Sequence, residues 1–225
     1  GKDIYNKLKE QYEVEESPVG KSVLEQIIKN DEIAAQEKIA LCQDTGMAVV
    51  FIELGQEAII VDGDFNEAIN QGVREAYIGG YLRKSVVSEP VFDRTNTKDN
   101  TPAITHIKIV PGDKVKIAVT AKGFGSENMS SIKMLKPADG VEGVKEFVIT
   151  TAVDAGPNPC PPTVVGVGIG GTMEMAAILS KKALLRPVGK HNEDSRYAEL
   201  EMEILQEINK SGIGPAGLGG RTTAL

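Results

Sequence analysis

Hydrophobic and polar positions recur along this chain with two different periods. Ser17-Pro18 opens a helix, with proline at the first helical position, where its missing N–H costs nothing. Val23, Leu24, Ile27 and Ile28 then form one apolar stripe at helical spacing. A second short helix is read over residues 32–37, and the dense β-branched run 47–54 reads as a buried strand. Asp64-Phe65-Asn66-Glu67 has the form of a capping box, and the helix it opens runs to Gly79-Gly80, a good C-terminal stop. Residues 86–100 are polar and irregular. Residues 104–110 and 115–120 flank Pro111-Gly112-Asp113, a hairpin signal that sets Ile107 and Ile109 against Val115, Ile117 and Val119. Further on, 141–153 reads as a helix, 162–169 as a strand and 172–185 as a helix. A last amphipathic helix over 194–209 carries Leu200, Ile204, Leu205 and Ile208 on one face. Mixed elements with a hairpin predict an α+β (mixed α/β) fold, helices packed around a mixed sheet, rather than a purely parallel sheet.

Composition narrows the class. With 225 residues and 41% hydrophobic content a proper core is available, but aromatics are only 4% and Trp is absent, so that core is aliphatic. A net charge of -7 argues against nucleic acid or an anionic membrane as partner. No apolar run approaches the roughly 18 residues of a membrane span. Two cysteines make no disulfide framework. The plain expectation is a cytoplasmic protein, trimmed at both ends, since the chain starts without Met and stops in a glycine-rich segment.

The two cysteines carry the most chemistry. Cys160 lies in Pro157-Asn158-Pro159-Cys160-Pro161-Pro162, where the prolines exclude helix and central strand and leave a stiff loop presenting one thiol. Cys42 lies in Leu41-Cys42-Gln43-Asp44-Thr45-Gly46, a turn-like break before the apolar run. Either both are inert structural thiols, or they are ligands that converge in space. Two thiolates do not complete a zinc site, and neither His106 nor His191 stands at ligand spacing from a cysteine; His106, inside a strand, reads as structural.

Other segments have both a bland and a functional reading. Gly166, Gly168 and Gly171 match Gly-x-Gly-x-x-Gly between a strand and a helix, with Glu193 downstream as a ribose acid. The bland reading is a turn where backbones approach closely; the functional one is nucleotide or anion binding. Lys122-Gly123-Phe124-Gly125-Ser126-Glu127-Asn128 offers positive φ and close backbone approach to a ligand, or a helix start capped by Ser126 or Asn128. Arg83, ahead of Lys84-Ser85 and an apolar pair, is a candidate drawn inward to hold a carboxylate; Arg94 and Lys98 read as solvated.

In order along the chain, Cys42-Gln43-Asp44-Thr45-Gly46, Asn96-Thr97-Lys98-Asp99-Asn100-Thr101-Pro102, Gly125-Ser126-Glu127-Asn128-Met129-Ser130, Asn158-Pro159-Cys160-Pro161-Pro162 and Gly170-Gly171-Thr172 resemble the class I, iron–sulfur-dependent fumarase family, which includes L-tartrate dehydratase. The resemblance implies one fumarase-type, N-terminal cluster-binding domain over 1–225, the α subunit or N-terminal half. It implies a [4Fe-4S] cluster on three cysteines, with Cys42 and Cys160 as two ligands and the third not in this sequence. It implies reversible hydration of fumarate to L-malate, with tartrate dehydration as the alternative. By the same resemblance Gln43 and Asp44 orient the substrate hydroxyl or water, Asp44 also relaying a proton, and Arg83 and Gly125 hold the carboxylates of a small dicarboxylate. The C–H base and further binding residues come from a β subunit or C-terminal domain, in a dimer of αβ pairs or a similar oligomer.

Overall fold

The densest β-branched run becomes the central strand. In the computed structural model, which describes residues 1–225, β1 (Met47–Gly55) lies between β2 (Ile104–Val110) and β3 (Val115–Lys122). β1 runs parallel to β2, with Ile52 opposite Ile107, and antiparallel to β3, with Ile52 opposite Ile117. The two predicted strands around Pro111-Gly112-Asp113 are therefore neighbours of β1, not of each other, and the hairpin ladder does not form. Burial explains the choice. A central strand pairs along both edges, and Ala48, Val49, Val50, Phe51 and Ile52 are all at most 8% exposed. β2 and β3 keep the edges, where Ile109 is 68% and Val119 62% exposed. Lys108 and Lys116, set opposite Glu53 from either side, suit such edges. Phe51 stacks on His106 with ring centroids 5.1 Å apart, which gives that histidine the packing role expected of it.

The parallel pair needs a crossover, and α3 (Phe65–Gly79) supplies it. Its cap is as read: Asp64 accepts the N–H of Glu67 at 2.9 Å. Val73 and Tyr77 pack with Ala48, and Leu82 and Ala103 close the cluster. Together these elements make one compact unit, Lys38–Phe124.

The second unit is Gly1–Glu37 with Gly125–Leu225 and is helical. It begins with α1 (Lys2–Val14), which the pattern did not reveal because Leu8 is its one fully buried residue. α2 (Pro18–Glu37) is a single helix, not a helix and a separate short one. Its start is set by Ser17, whose hydroxyl accepts the N–H of Gly20 at 3.1 Å. After the short α4 (Phe124–Glu127), α5 (Gly140–Ala155) packs on α7 (Ser195–Lys210) around Val148, Ile204 and Ile208. α6 (Met173–Ala183) lies between them in sequence.

Residues 162–169 do not form the predicted strand. Their backbone lies on α6 instead. A Cβ on Gly166 would sit 2.3 Å from the Ser180 carbonyl oxygen, and one on Gly168 would sit 2.1 Å from that of Ala176. These glycines exist so that backbone can touch helix. None of the helices is long and apolar enough to cross a membrane.

Candidate functional site

The loop that presents Cys42 is fastened by polar groups that the hydrophobic pattern does not show. Asn100 is 0% exposed and spans two loops at once. Its Oδ1 accepts the N–H of Ser85 at 2.7 Å and of Val86 at 3.1 Å, while its Nδ2 donates to the Gly46 carbonyl at 2.9 Å. Tyr77 on α3 donates its hydroxyl to the Thr45 carbonyl at 2.7 Å, and burial pushes this phenol's pKa up. The Thr45 hydroxyl donates to the Arg83 carbonyl at 3.1 Å. Gly46 is a required glycine: its φ is +52°, and a Cβ would fall 1.8 Å from the Lys122 carbonyl oxygen. Thus Thr45 and Gly46 are pinned, and Cys42 and Gln43 stand exposed just before them.

The chemistry-bearing residues then fall into place. The Cys42 sulfur accepts the N–H of Asp44 at 3.4 Å. Asp44 turns its own carboxylate the other way along the chain: Oδ1 accepts the N–H of Phe124 at 3.0 Å. Gly123 must be glycine for this, because a Cβ there would lie 2.9 Å from the other carboxylate oxygen. The helix starts at Phe124, whose N–H Asp44 accepts, with Ser126 inside it and Asn128 past its end, and Gly123 serves close approach rather than positive φ. Gly125 lies within α4.

Arg83 departs from the expectation. Its side chain is exposed rather than drawn inward; the apolar pair that follows turns Val86 into the core and leaves the guanidinium outside. Arg94 and Lys98 are exposed as expected, at φ of +48° and +65°. The polar stretch around them is a self-bonded scaffold. Asp99 accepts the Thr101 N–H at 3.0 Å and hydroxyl at 2.8 Å, and pairs with Arg74 at 3.0 Å. Those hydrogen bonds, first from the Thr101 backbone, hold its carboxyl far below the usual range.

Cys160 belongs to the helical unit and is also exposed. The chain leaves α5 through a turn in which Asn158 donates both its backbone N–H and its side-chain amide to the Ala155 carbonyl, at 3.1 and 3.0 Å. Pro159 is buried beneath the cysteine, and the Pro161-Pro162 peptide is cis. Neither cysteine is in a disulfide. No group of three or more His, Cys, Asp and Glu side chains that could hold a metal ion occurs. The nucleotide reading loses its support here, since Gly166 and Gly168 are used up by contact with α6, no strand precedes them, and Glu193 is exposed in a loop rather than at a strand end.

These features define a protein with two exposed, separately scaffolded thiols in an α+β chain, with Cys42 accepting a backbone N–H at sulfur. Comparison with known proteins makes the class specific. Residues 1–225 match the family described as Fumarate hydratase (Fumerase). A putative L(+)-tartrate dehydratase subunit alpha of Methanocaldococcus jannaschii is 44% identical over 99% of this chain and 80% of its own length. The L(+)-tartrate dehydratase subunit alpha of Escherichia coli O157:H7 is 36% identical over 99% of this chain and 74% of its own. That of Shigella sonnei is 35% identical over the same shares. The chain belongs to the fumarate hydratase family of hydro-lyases.

Proposed function

We propose that this chain is the cluster-binding α subunit of a hydro-lyase that dehydrates a 2-hydroxy dicarboxylic acid, with L(+)-tartrate as its substrate. The substrate reading is carried by the 44% identity, over nearly the whole chain, to a relative named as a tartrate dehydratase subunit alpha. It replaces fumarate as the first expectation. Fumarate hydration to L-malate remains the second reading, favoured by the description of the family.

The residues fit a [4Fe-4S] cluster as far as they go. Cys42 and Cys160 would be two of its three thiolate ligands; both are exposed, and the Asp44 N–H at Cys42 is a donor suited to a cluster thiolate. The third comes from outside this sequence, which has two cysteines. When bound, such a cluster supplies a Lewis-acidic iron for a substrate hydroxyl and carboxylate.

The chain's own groups do the rest. Dehydration removes hydroxide from one carbon and a proton from its neighbour. In a 2,3-dihydroxy diacid the resulting alkene still carries a hydroxyl, so it is the enol of a 2-oxo diacid and tautomerises to it. Gln43 orients the departing hydroxyl. Asp44, anchored through Phe124, delivers the proton that turns that hydroxyl into water. Arg83 and the Gly125 backbone hold the substrate carboxylates. A β subunit or C-terminal domain supplies the C–H base and the other half of the pocket, in a dimer of αβ pairs. Thiolates poised to hold iron suit the reducing cytoplasm.

The test is anaerobic reconstitution of the full α subunit with its β partner, iron and sulfide, followed by assays on L-tartrate, fumarate and L-malate. Cluster absorbance and tartrate turnover are expected, and both are lost in Cys160→Ser. Turnover of fumarate and malate without tartrate would reverse the substrate assignment. A Cys160→Ser enzyme with full cluster absorbance would end the ligand assignment.

A further inference from the structure

Away from the reacting groups, one carboxylate is buried with no metal or cation as its main partner. Glu15, between α1 and α2, is 2% exposed. Its Oε1 accepts the backbone N–H groups of Glu16 and Ser17, both at 3.0 Å, which is an ordinary local turn. Its other contacts reach across the unit. Both oxygens accept the N–H of Arg221, at 2.8 and 2.9 Å, and Oε2 accepts that of Thr222 at 2.9 Å. The surroundings are cut to fit it: a Cβ on Gly20 would lie 2.9 Å from the carboxyl carbon, and one on Gly220 3.1 Å from it.

The segment held in this way continues without a break. Asn209 of α7 accepts the next two N–H groups, those of Thr223 at 2.8 Å and Ala224 at 2.9 Å, and donates to the Ala224 carbonyl at 3.1 Å. The N–H of Leu225 then donates to the Thr163 carbonyl at 3.0 Å. Upstream in the same segment, a Cβ on Gly217 would lie 2.6 Å from that of Pro157. Pro157 and Thr163 stand at equal distance in sequence before and after Cys160. Both flanks of the cysteine loop thus rest on one segment, which Glu15 and Asn209 hold from outside and which the Thr223 hydroxyl ties from within by accepting the Gly214 N–H at 3.1 Å.

A buried carboxylate is a costly way to hold a loop. Its desolvation is offset only if its lone pairs are fully used, and then the geometry is rigid. Gly217, Gly219 and Gly220, just before the held residues, carry no side chains with which to order themselves, so a template beside them matters.

We propose that Glu15 is a positioning residue for Cys160: by templating residues 221–225 it fixes the loop that presents this thiol. This rests on the reading of Cys160 as a cluster ligand only for its consequence in the enzyme, not for the mechanical link.

The experiment is differential alkylation of the two thiols in the cluster-free, full α subunit, resolved by mass spectrometry. In Glu15→Gln the rate at Cys160 should rise about tenfold or more while Cys42 stays within twofold, and Glu15→Asp should recover part of the change. A general loss of stability would move both thiols together. Reconstituted Glu15→Gln with its β partner should show a changed cluster absorption or electron paramagnetic resonance spectrum at equal iron content. An unchanged Cys160 rate, or equal acceleration of both thiols, overturns the proposal. If Glu15→Gln does not fold, hydrogen exchange of the wild-type protein decides. The amides of Arg221, Thr222 and Leu225 should open together, and independent opening of Leu225 overturns the link. A Cys160→Ser protein that retains its cluster would instead sink the ligand assignment and leave the Glu15 link standing.

Discussion

Asn100 offers the sharpest test of how the Cys42 loop is built. Replacing it with alanine removes three hydrogen bonds and leaves the Val86 N–H and the Gly46 carbonyl buried without their partner; Ser85, only half-buried, can turn to water. Each stranded buried group costs about 1–3 kcal/mol. Asn100 also has a φ of +64°, which alanine tolerates worse than asparagine by about 1 kcal/mol. The expected loss for Asn100→Ala is therefore about 3–7 kcal/mol, enough to lower the melting temperature of a chain this size by about 6 °C or more. Asn100→Gly loses the same hydrogen bonds but not the conformational tolerance, so it should fall about 1 kcal/mol short of alanine apart from glycine's extra unfolded-state entropy. Asn100→Asp keeps the two acceptor bonds but sets a carboxylate against the Gly46 carbonyl, and should be no better than alanine. Calorimetry gives the stabilities, and hydrogen exchange at Ser85 and Val86 gives the local effect. A loss below about 1 kcal/mol for Asn100→Ala would refute the reasoning, because a group at 0% exposure cannot then be the tie between these loops.

Two further predictions concern carboxylates. Asp44→Asn keeps an oxygen for the Phe124 N–H, so the fold and cluster absorbance should persist while turnover falls about 10²–10³-fold, within the usual range for a general acid or base. Steady-state kinetics at matched cluster content would check it, and a kcat within about threefold of wild type would remove Asp44 from proton transfer. For Glu15, burial pushes the pKa up, but the N–H groups of Arg221, Ser17, Thr222 and Glu16 outweigh it and hold the value low. A depressed folded-state value means the stabilisation is complete above the ordinary carboxylate range and is lost as pH falls through the folded value. Urea unfolding at neutral and acid pH should therefore give a steeper acid loss in wild type than in Glu15→Gln, and parallel curves would show that Glu15 is not the group responsible.

Local signals along the chain determined a good part of this protein. Pro18, Asp64 and Gly79-Gly80 mark helix ends through the backbone alone, and the stripe through Ile204 and Ile208 marks a buried face, so α3, α7 and the start of α2 were legible. The placing of both cysteines on loops was legible for the same reason, since proline and glycine act on φ and ψ locally. Tertiary structure decided what local signals cannot carry. Whether residues 104–110 and 115–122 pair with each other or with β1 depends on which strand is best buried, a property of the assembled sheet. Gly166 and Gly168 fit a nucleotide fingerprint or a helix contact equally well until α6 lies across them. Asn100, Tyr77 and Glu15 read as ordinary polar residues, and their importance comes from burial beside N–H and carbonyl groups distant in sequence. A buried polar group takes its meaning from its partners, and only the fold brings those partners to it.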